Sequence, residues 1–187
     1  MELYLIRHGQ STNNTLPGAS GRVCDPPLTE LGQRQADLLG AYLAAGPQQC
    51  PVAGRAASGA GGLHRLYCSA HLRCLQTADR IAAHTGLEPQ IWVEVHEQMG
   101  IWLEGQARLP GMAPAQIREQ FPRIRIPPEV PDEGWWNRPP ETEPEWTARA
   151  VRVACRLRQT MAPTLDRVAV VSHGGFIRDL LVALIGV

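Results

Sequence analysis

Short apolar runs alternate along the chain with longer stretches in which apolar residues recur every three or four positions. Glu2 to Ile6 is β-prone and ends at Arg7, His8 and Gly9, before the polar stretch QSTNN, which predicts a strand running into a loop. From Thr29, an N-cap residue type, Leu31, Leu38, Leu39, Tyr42 and Leu43 share one side of a predicted helix that stops near Gly46 and Pro47. Gly46 to Gly62 is rich in Gly, Ala and Pro without periodicity and reads as a surface insertion. Leu63 to Cys68 predicts a second strand, His71 to about Thr85 a helix ending at Gly86, and Gln90 to Val95 a third strand. From about Gly105 to Pro144 prolines are frequent and only Ala115 to Phe121 has a helical pattern, so this segment reads as a long excursion over the fold, of the kind that often forms a lid. Trp146, Ala150, Val153, Ala154, Leu157 and Met161 then recur at helical spacing, before an apolar strand from Val168 to Ser172 and a last helix after Gly175.

Strands rich in Val and Leu that alternate with helices predict an α/β fold with three layers, a mainly parallel sheet covered by helices on both faces. Residues 1–187 read as a single domain carrying the insertion and the excursion, with no long internal repeat. In such sheets ligands collect beyond the carboxyl ends of the strands. Three predicted strands end in candidate chemistry: the first at Arg7 and His8, the second just before Arg73, and the last at His173.

Composition narrows the partners. Basic and acidic residues balance at 18 each, so the chain lacks the overall charge that nucleic-acid or anionic-membrane binding needs, and an anion site has to be locally basic. The N-terminal apolar run is too short for a signal-peptide core, and LLVALIGV at the other end falls far below the roughly 20 residues that span a bilayer. The five cysteines, Cys24, Cys50, Cys68, Cys74 and Cys155, are an odd, scattered set in a chain too large to need disulfide staples. A reducing, cytoplasmic setting is expected.

Arg7 and His8 can share one pocket only if the strand turns after them, and Gly9 makes that turn easy. A neutral imidazole is a competent nucleophile toward phosphorus, and an adjacent guanidinium can hold phosphate oxygens. An Arg-His-Gly tripeptide alone is weak evidence; the weight comes from RHGQSTNN, DPPLTELGQRQA, CSAHLRCLQTA and VVSHGGFIR occurring in that order in one chain. Together they resemble the histidine phosphatase superfamily, the phosphoglycerate mutase-like proteins, over most of the chain outside the insertion and much of the excursion.

The resemblance implies that His8 is a nucleophile forming a phosphohistidine, that Arg7 and Arg73 clamp the phosphate, that His173 is a second pocket histidine, that Asn14 contacts phosphate, and that Gly174 offers its backbone N–H. It implies that Asp25, Leu28, Thr29, Gly32 and Gln35 form a scaffold at a helix entry, and that the reaction needs no cofactor and no metal. Two guanidiniums and a histidine suffice to offset a phosphate, since each charge pair at about 4 Å interacts by roughly 4 kcal/mol at an effective dielectric near 20, before desolvation. Members of the family continue into a further strand beyond the second histidine's helix, whereas this sequence stops at Val187, leaving truncation or another way of completing the sheet edge equally open.

The segment HEQMGIWLEG resembles the family's acid-bearing segment, with Glu97 as the proton donor to the leaving oxygen. Gly100 is one residue closer to the glutamate than the pattern requires and Leu103 is inserted before Glu104, so Glu94 and Glu104 stay in contention. Where the mutases of the family carry Arg, His and Tyr after the acid, this chain has Gln98, Met99 and Gly100, which favours hydrolysis of a small phosphorylated substrate over mutase-type transfer. A phospho-ligand binding protein without turnover is the alternative from another class. His64, Cys68, His71 and Cys74 have a spacing that invites zinc but straddle a strand, a turn and a helix, so two core cysteines and two ordinary histidines are expected. Trp135 and Trp136 either cap a substrate or pack on the body of the fold.

Overall fold

The computed structural model describes residues 1–45, 62–105 and 109–186. The insertion expected at Gly46 to Gly62 lies outside them, apart from its last residue. In chain order the main elements are β1 (Glu2–Arg7), α1 (Glu30–Ala45), β2 (Arg65–Cys68), α2 (Leu72–Thr85), β3 (Gln90–Ile91), α3 (Pro114–Gln120), α4 (Glu143–Arg156), β4 (Arg167–Ser172) and α5 (Gly174–Ile185). The four strands are all parallel in the order β1-β4-β2-β3, with Arg7 opposite Ser172 and Cys68 opposite Val171. Strand β4 is therefore central and buried on both faces, which its unbroken Val-Ala-Val-Val run anticipates.

Alternation along β4 splits the core into two layers. Ala169 and Val171 face the α1 and α2 side with Leu43, Leu75, Ala78 and Ile81, while Val168 and Val170 face Val153, Leu157, Phe176 and Leu180 of the α4 and α5 side. Helix α1 starts where its cap residue predicts, with the Gly32 N–H donating to Thr29 Oγ1 at 3.0 Å. Helix α2 stops at Gly86, which adopts the left-handed conformation (φ 72°).

Two expectations need correction. In α1 the buried positions are Gly32, Ala36, Gly40 and Leu43, while Leu31, Leu38 and Tyr42 are exposed. The small residues let the helix backbone approach α2 closely: a Cβ on Gly40 would come within 3.1 Å of Ile81 Cα. The third strand is only Gln90–Ile91, because its partner β2 ends at Cys68; Trp92 N–H bonds the Cys68 carbonyl at 2.9 Å and the chain then coils through a 3-10 turn at Val93–Val95. That turn carries the next residues beneath the ends of β4, where Ser172 Oγ donates to the Val95 carbonyl at 2.7 Å. The proline-rich excursion holds α3 close to the predicted place and packs Ile117, Phe121, Ile124 and Val130 into the first core layer.

Candidate active site

The register of the central strands puts two histidines side by side. His8 follows β1 and bonds through its N–H to the Ser172 carbonyl at 3.0 Å; His173 follows β4, and the two rings meet edge to face at 5.3 Å. Gly9 is needed here for a close approach, not for an unusual backbone angle: a Cβ would run into the Gly32 carbonyl of α1. The Gly9 N–H donates to Thr77 Oγ1 of α2 at 3.2 Å, which ties the loop to the helix that carries Arg73.

Arg73 is the hub. Its Nε donates to His8 Nε2 at 3.1 Å, its Nη2 to His173 Nδ1 at 2.9 Å, and its Nη1 lies 3.6 Å from Asp25 Oδ1. A guanidinium only donates, so His8 Nε2 holds a lone pair and the ring proton sits on Nδ1, which donates to the Gly9 carbonyl at 2.7 Å. Burial, then the Arg73 charge, push the His8 imidazole down to about 4, with the Gly9 bond opposing and Arg7 assisting. At neutral pH the ring is neutral with Nε2 as its nucleophilic atom. Asp25 also accepts the Leu72 N–H at the start of α2 at 3.0 Å, and burial outweighs both partners in raising its carboxyl to about 6. The sequence marked Asp25 as scaffold; its contact with Arg73 makes it part of the site's support.

His173 has no exposed surface. With Nδ1 accepting from Arg73, its Nε2–H donates to Ser69 Oγ at 2.9 Å, and the Ser69 hydroxyl in turn donates to His71 Nδ1 at 3.2 Å. Burial, then Arg73, hold both His173 and His71 well below the ordinary imidazole range. Ser69 and His71 were not selected from the sequence as site residues, although SAHLR lies in the segment that carries Arg73.

Arg7 ends β1 with an exposed side chain and makes no hydrogen bond or ion pair among the described residues. A Cβ on Gly174 would lie 3.6 Å from its Nε, so the guanidinium stands beside the first turn of α5, whose leading N–H groups add positive potential. Asn14 is exposed, and its Oδ1 accepts from both the backbone N–H and the hydroxyl of Ser11 at 3.0 Å. These bonds shape the loop after His8.

The three carboxylates go to different places. Glu97 is held at the N-terminus of α5, its Oε1 accepting the N–H groups of Phe176 and Gln98, each at 3.0 Å. Glu94 instead pairs with Arg152 of α4 at 3.3 Å, and Glu104 is exposed. Gln98 Nε2 donates to Asp179 of α5 at 2.6 Å. Trp135 and Trp136 are 5% and 3% exposed and pack on His71 and His96, with Trp136 covering Gly100; the body of the fold, not its surface, receives them. Of the four residues with zinc-like spacing, His64 Nδ1 accepts the Arg167 N–H at 2.9 Å, Cys68 lies in the core, His71 faces Ser69, and Cys74 Sγ lies 3.4 Å from His173 Nε2. Among the described residues no group of three or more His, Cys, Asp or Glu side chains is arranged to hold a metal ion, and no helix is long and apolar enough to cross a membrane.

The family model of the histidine phosphatase superfamily, branch 1, matches residues 3–187. No curated protein matches the chain. Among solved structures, the ecdysone phosphate phosphatase of Bombix mori, in complex with tungstate, superposes with a TM-score of 0.66 at 16% identity, covering 97% of this chain and 76% of that one. The mycobacterial glucosyl-3-phosphoglycerate phosphatase has a TM-score of 0.59 at 23% identity in complex with VO3, covering 99% and 82%. With inorganic phosphate the same mycobacterial enzyme gives 0.56 at 24%, covering 99% and 79%. At these identities the structures speak for the fold, while the family match spans nearly all of the sequence: the chain belongs to the histidine phosphatase superfamily, branch 1.

Proposed function

We propose that this protein is a phosphomonoesterase that acts on a small phosphorylated metabolite through a phosphohistidine at His8 Nε2. The observation that carries the reading is the set of protons around His8: Nδ1–H is fixed on the Gly9 carbonyl, Nε2 is a lone pair facing Arg73, and the unpaired Arg7 guanidinium stands at the same strand end. Phosphate oxygens would take over the Arg73 donors and add those of Arg7, freeing Nε2 to reach phosphorus. The Nε2 lone pair forms the P–N bond as the P–O bond to the leaving group breaks, and the leaving oxygen takes a proton from Glu97. Because Glu97 Oε1 already accepts two N–H groups, that proton belongs on Oε2. The same carboxylate then deprotonates water, which attacks phosphorus and returns the P–N electron pair to His8. His173 orients Arg73 through Nδ1 in the free protein; when a phosphate dianion takes over the Arg73 donors, His173 takes up a proton from solvent on Nδ1 and donates this N–H to a phosphate oxygen.

Hydrolysis is favoured over mutase-type transfer because Gln98, where the mutases carry Arg, is neutral and engaged by Asp179. The oxyanions bound by the two phosphatases with the same fold are of the shape and charge this cluster suits. The reading includes a single domain, a reaction without metal and a cytoplasmic setting. Acid-labile, base-stable phosphate should accumulate on wild-type protein during turnover of p-nitrophenyl phosphate and be missing from His8→Ala, which should have no activity while keeping its fold. Exhaustive chelation should leave the wild-type rate unchanged. Turnover by His8→Ala at the wild-type rate would remove the assignment; phosphate binding without turnover of any substrate in a metabolite panel would favour the binding-protein alternative.

A further inference from the structure

Arg149, in the middle of α4, is almost fully buried, with 1% of its side chain exposed. Its Nε lies 3.0 and 3.1 Å from the two Glu141 oxygens, and its Nη2 donates to Glu141 Oε2 at 2.7 Å. The other donors go to one short stretch of backbone: Nη1 to the carbonyls of Glu94 at 2.7 Å and His96 at 2.9 Å, and Nη2 to that of Glu97 at 3.3 Å. All five N–H groups are used. The flat guanidinium also lies over the ring of Phe176, 4.5 Å from its centroid, and the Phe176 N–H is one of the two that hold the Glu97 carboxylate.

Neutralising a buried cation needs only Glu141, and apolar residues of similar volume fill such a space at no loss of stability. What an apolar side chain does not supply is a rigid fork that fixes three carbonyls of one short backbone stretch, those of Glu94, His96 and Glu97, relative to a helix terminus. We propose that Arg149 is the positioning residue for the proton-transferring carboxylate: it sets the path of Glu94–Glu97 and, with Phe176, the direction of the Glu97 side chain. Space around that carboxylate is tight on the α5 side, since a Cβ on Gly175 would come within 2.7 Å of Glu97 Oε1. A small shift of the segment therefore moves the acid out of line with the leaving oxygen. This inference rests on Glu97 being the proton donor.

The test compares kcat/KM, which ends with loss of the leaving group and so excludes the later attack of water, for p-nitrophenyl phosphate, whose phenol leaves without a proton, and for an alkyl phosphate that the wild-type protein turns over. The proteins are wild type, Glu97→Gln, Arg149→Lys and the double variant. Lysine keeps the charge but not the fork, and a misplacement near 1 Å costs about 10²-fold, so Arg149→Lys should lose about that factor in kcat/KM on the alkyl phosphate. Its affinity for inorganic phosphate should hardly change, kcat/KM for p-nitrophenyl phosphate should lose no more than about threefold, and the double variant should be no slower than Glu97→Gln on the alkyl phosphate. Equal losses on both substrates, or additive losses in the double variant, would reduce Arg149 to structural support and overturn the proposal. If Glu97→Gln is itself indifferent to the leaving group, the reading of Glu97 fails separately. Should circular dichroism show Arg149→Lys unfolded, Glu141→Gln keeps the guanidinium and weakens its anchor; a selective alkyl-phosphate loss is then expected, and an unselective one overturns the proposal.

Discussion

Stability should fall steeply between pH 7 and pH 5, because four histidines are buried without charge. His8, His71, His96 and His173 all have imidazoles held below the ordinary range, chiefly by burial and next by Arg73 or, for His96, Arg149. In the unfolded chain each takes up a proton near pH 6.5, whereas in the native state each stays neutral, His8 down to about 4. The unfolded state binds more protons over this window, so stability is complete above about pH 6.5 and falls as the pH drops below it. From pH 7 to pH 5 each histidine contributes a loss of about 2 kcal/mol, and the four together about 7–8 kcal/mol. Asp25 acts the other way: its native carboxyl titrates at about 6, so the folded state gains a proton that the unfolded one does not. That returns about 1 kcal/mol, leaving a net loss of about 6 kcal/mol against a total stability of about 5–15 kcal/mol. Urea titrations followed by tryptophan fluorescence at pH 7, 6 and 5 read this directly, since Trp135 and Trp136 pack on His71 and His96. His71→Asn, which keeps an acceptor for Ser69, should flatten the decline by about 2 kcal/mol whatever its starting stability. A stability that stays level within about 1 kcal/mol between pH 7 and 5 would refute the neutral-histidine account.

Two further outcomes follow from the strand ends. Arg7→Met should leave the melting temperature unchanged, because the Arg7 side chain makes no hydrogen bond or ion pair among the described residues; it should weaken inorganic phosphate binding by about 10²-fold by calorimetry, a loss of a charge pair worth roughly 4 kcal/mol before desolvation. Gly9→Ala should destabilise the fold by about 1–3 kcal/mol in denaturant titrations, because its methyl group meets the Gly32 carbonyl of α1, backbone that does not move aside; an unchanged midpoint would refute that rigid contact.

Local order was already written in the sequence. The alternation of apolar runs and helical spacing fixed the α/β class, Thr29 and Gly86 marked helix ends through their own hydrogen bonding and backbone freedom, and strand ends pointed to Arg7, His8, Arg73 and His173. Such features depend on neighbours within a few residues, which is what periodicity and capping report. The sequence put Glu97 first as the acid and kept Glu94 and Glu104 in contention; that Glu97 and not Glu94 stands at the α5 terminus depends on the shortened third strand turning beneath β4. The exposure of Leu31, Leu38 and Tyr42 on α1 was not legible, because small residues set the approach to α2. Trp135 and Trp136 had no periodic pattern to place them. Arg149 was not singled out in the sequence; only tertiary packing gives it Glu141 as a counter-charge and three carbonyls of a distant segment as acceptors. A sequence records which groups are available, but a charge is held without water only where elements far apart in the chain bring complementary groups to it, and that is decided by the folded structure.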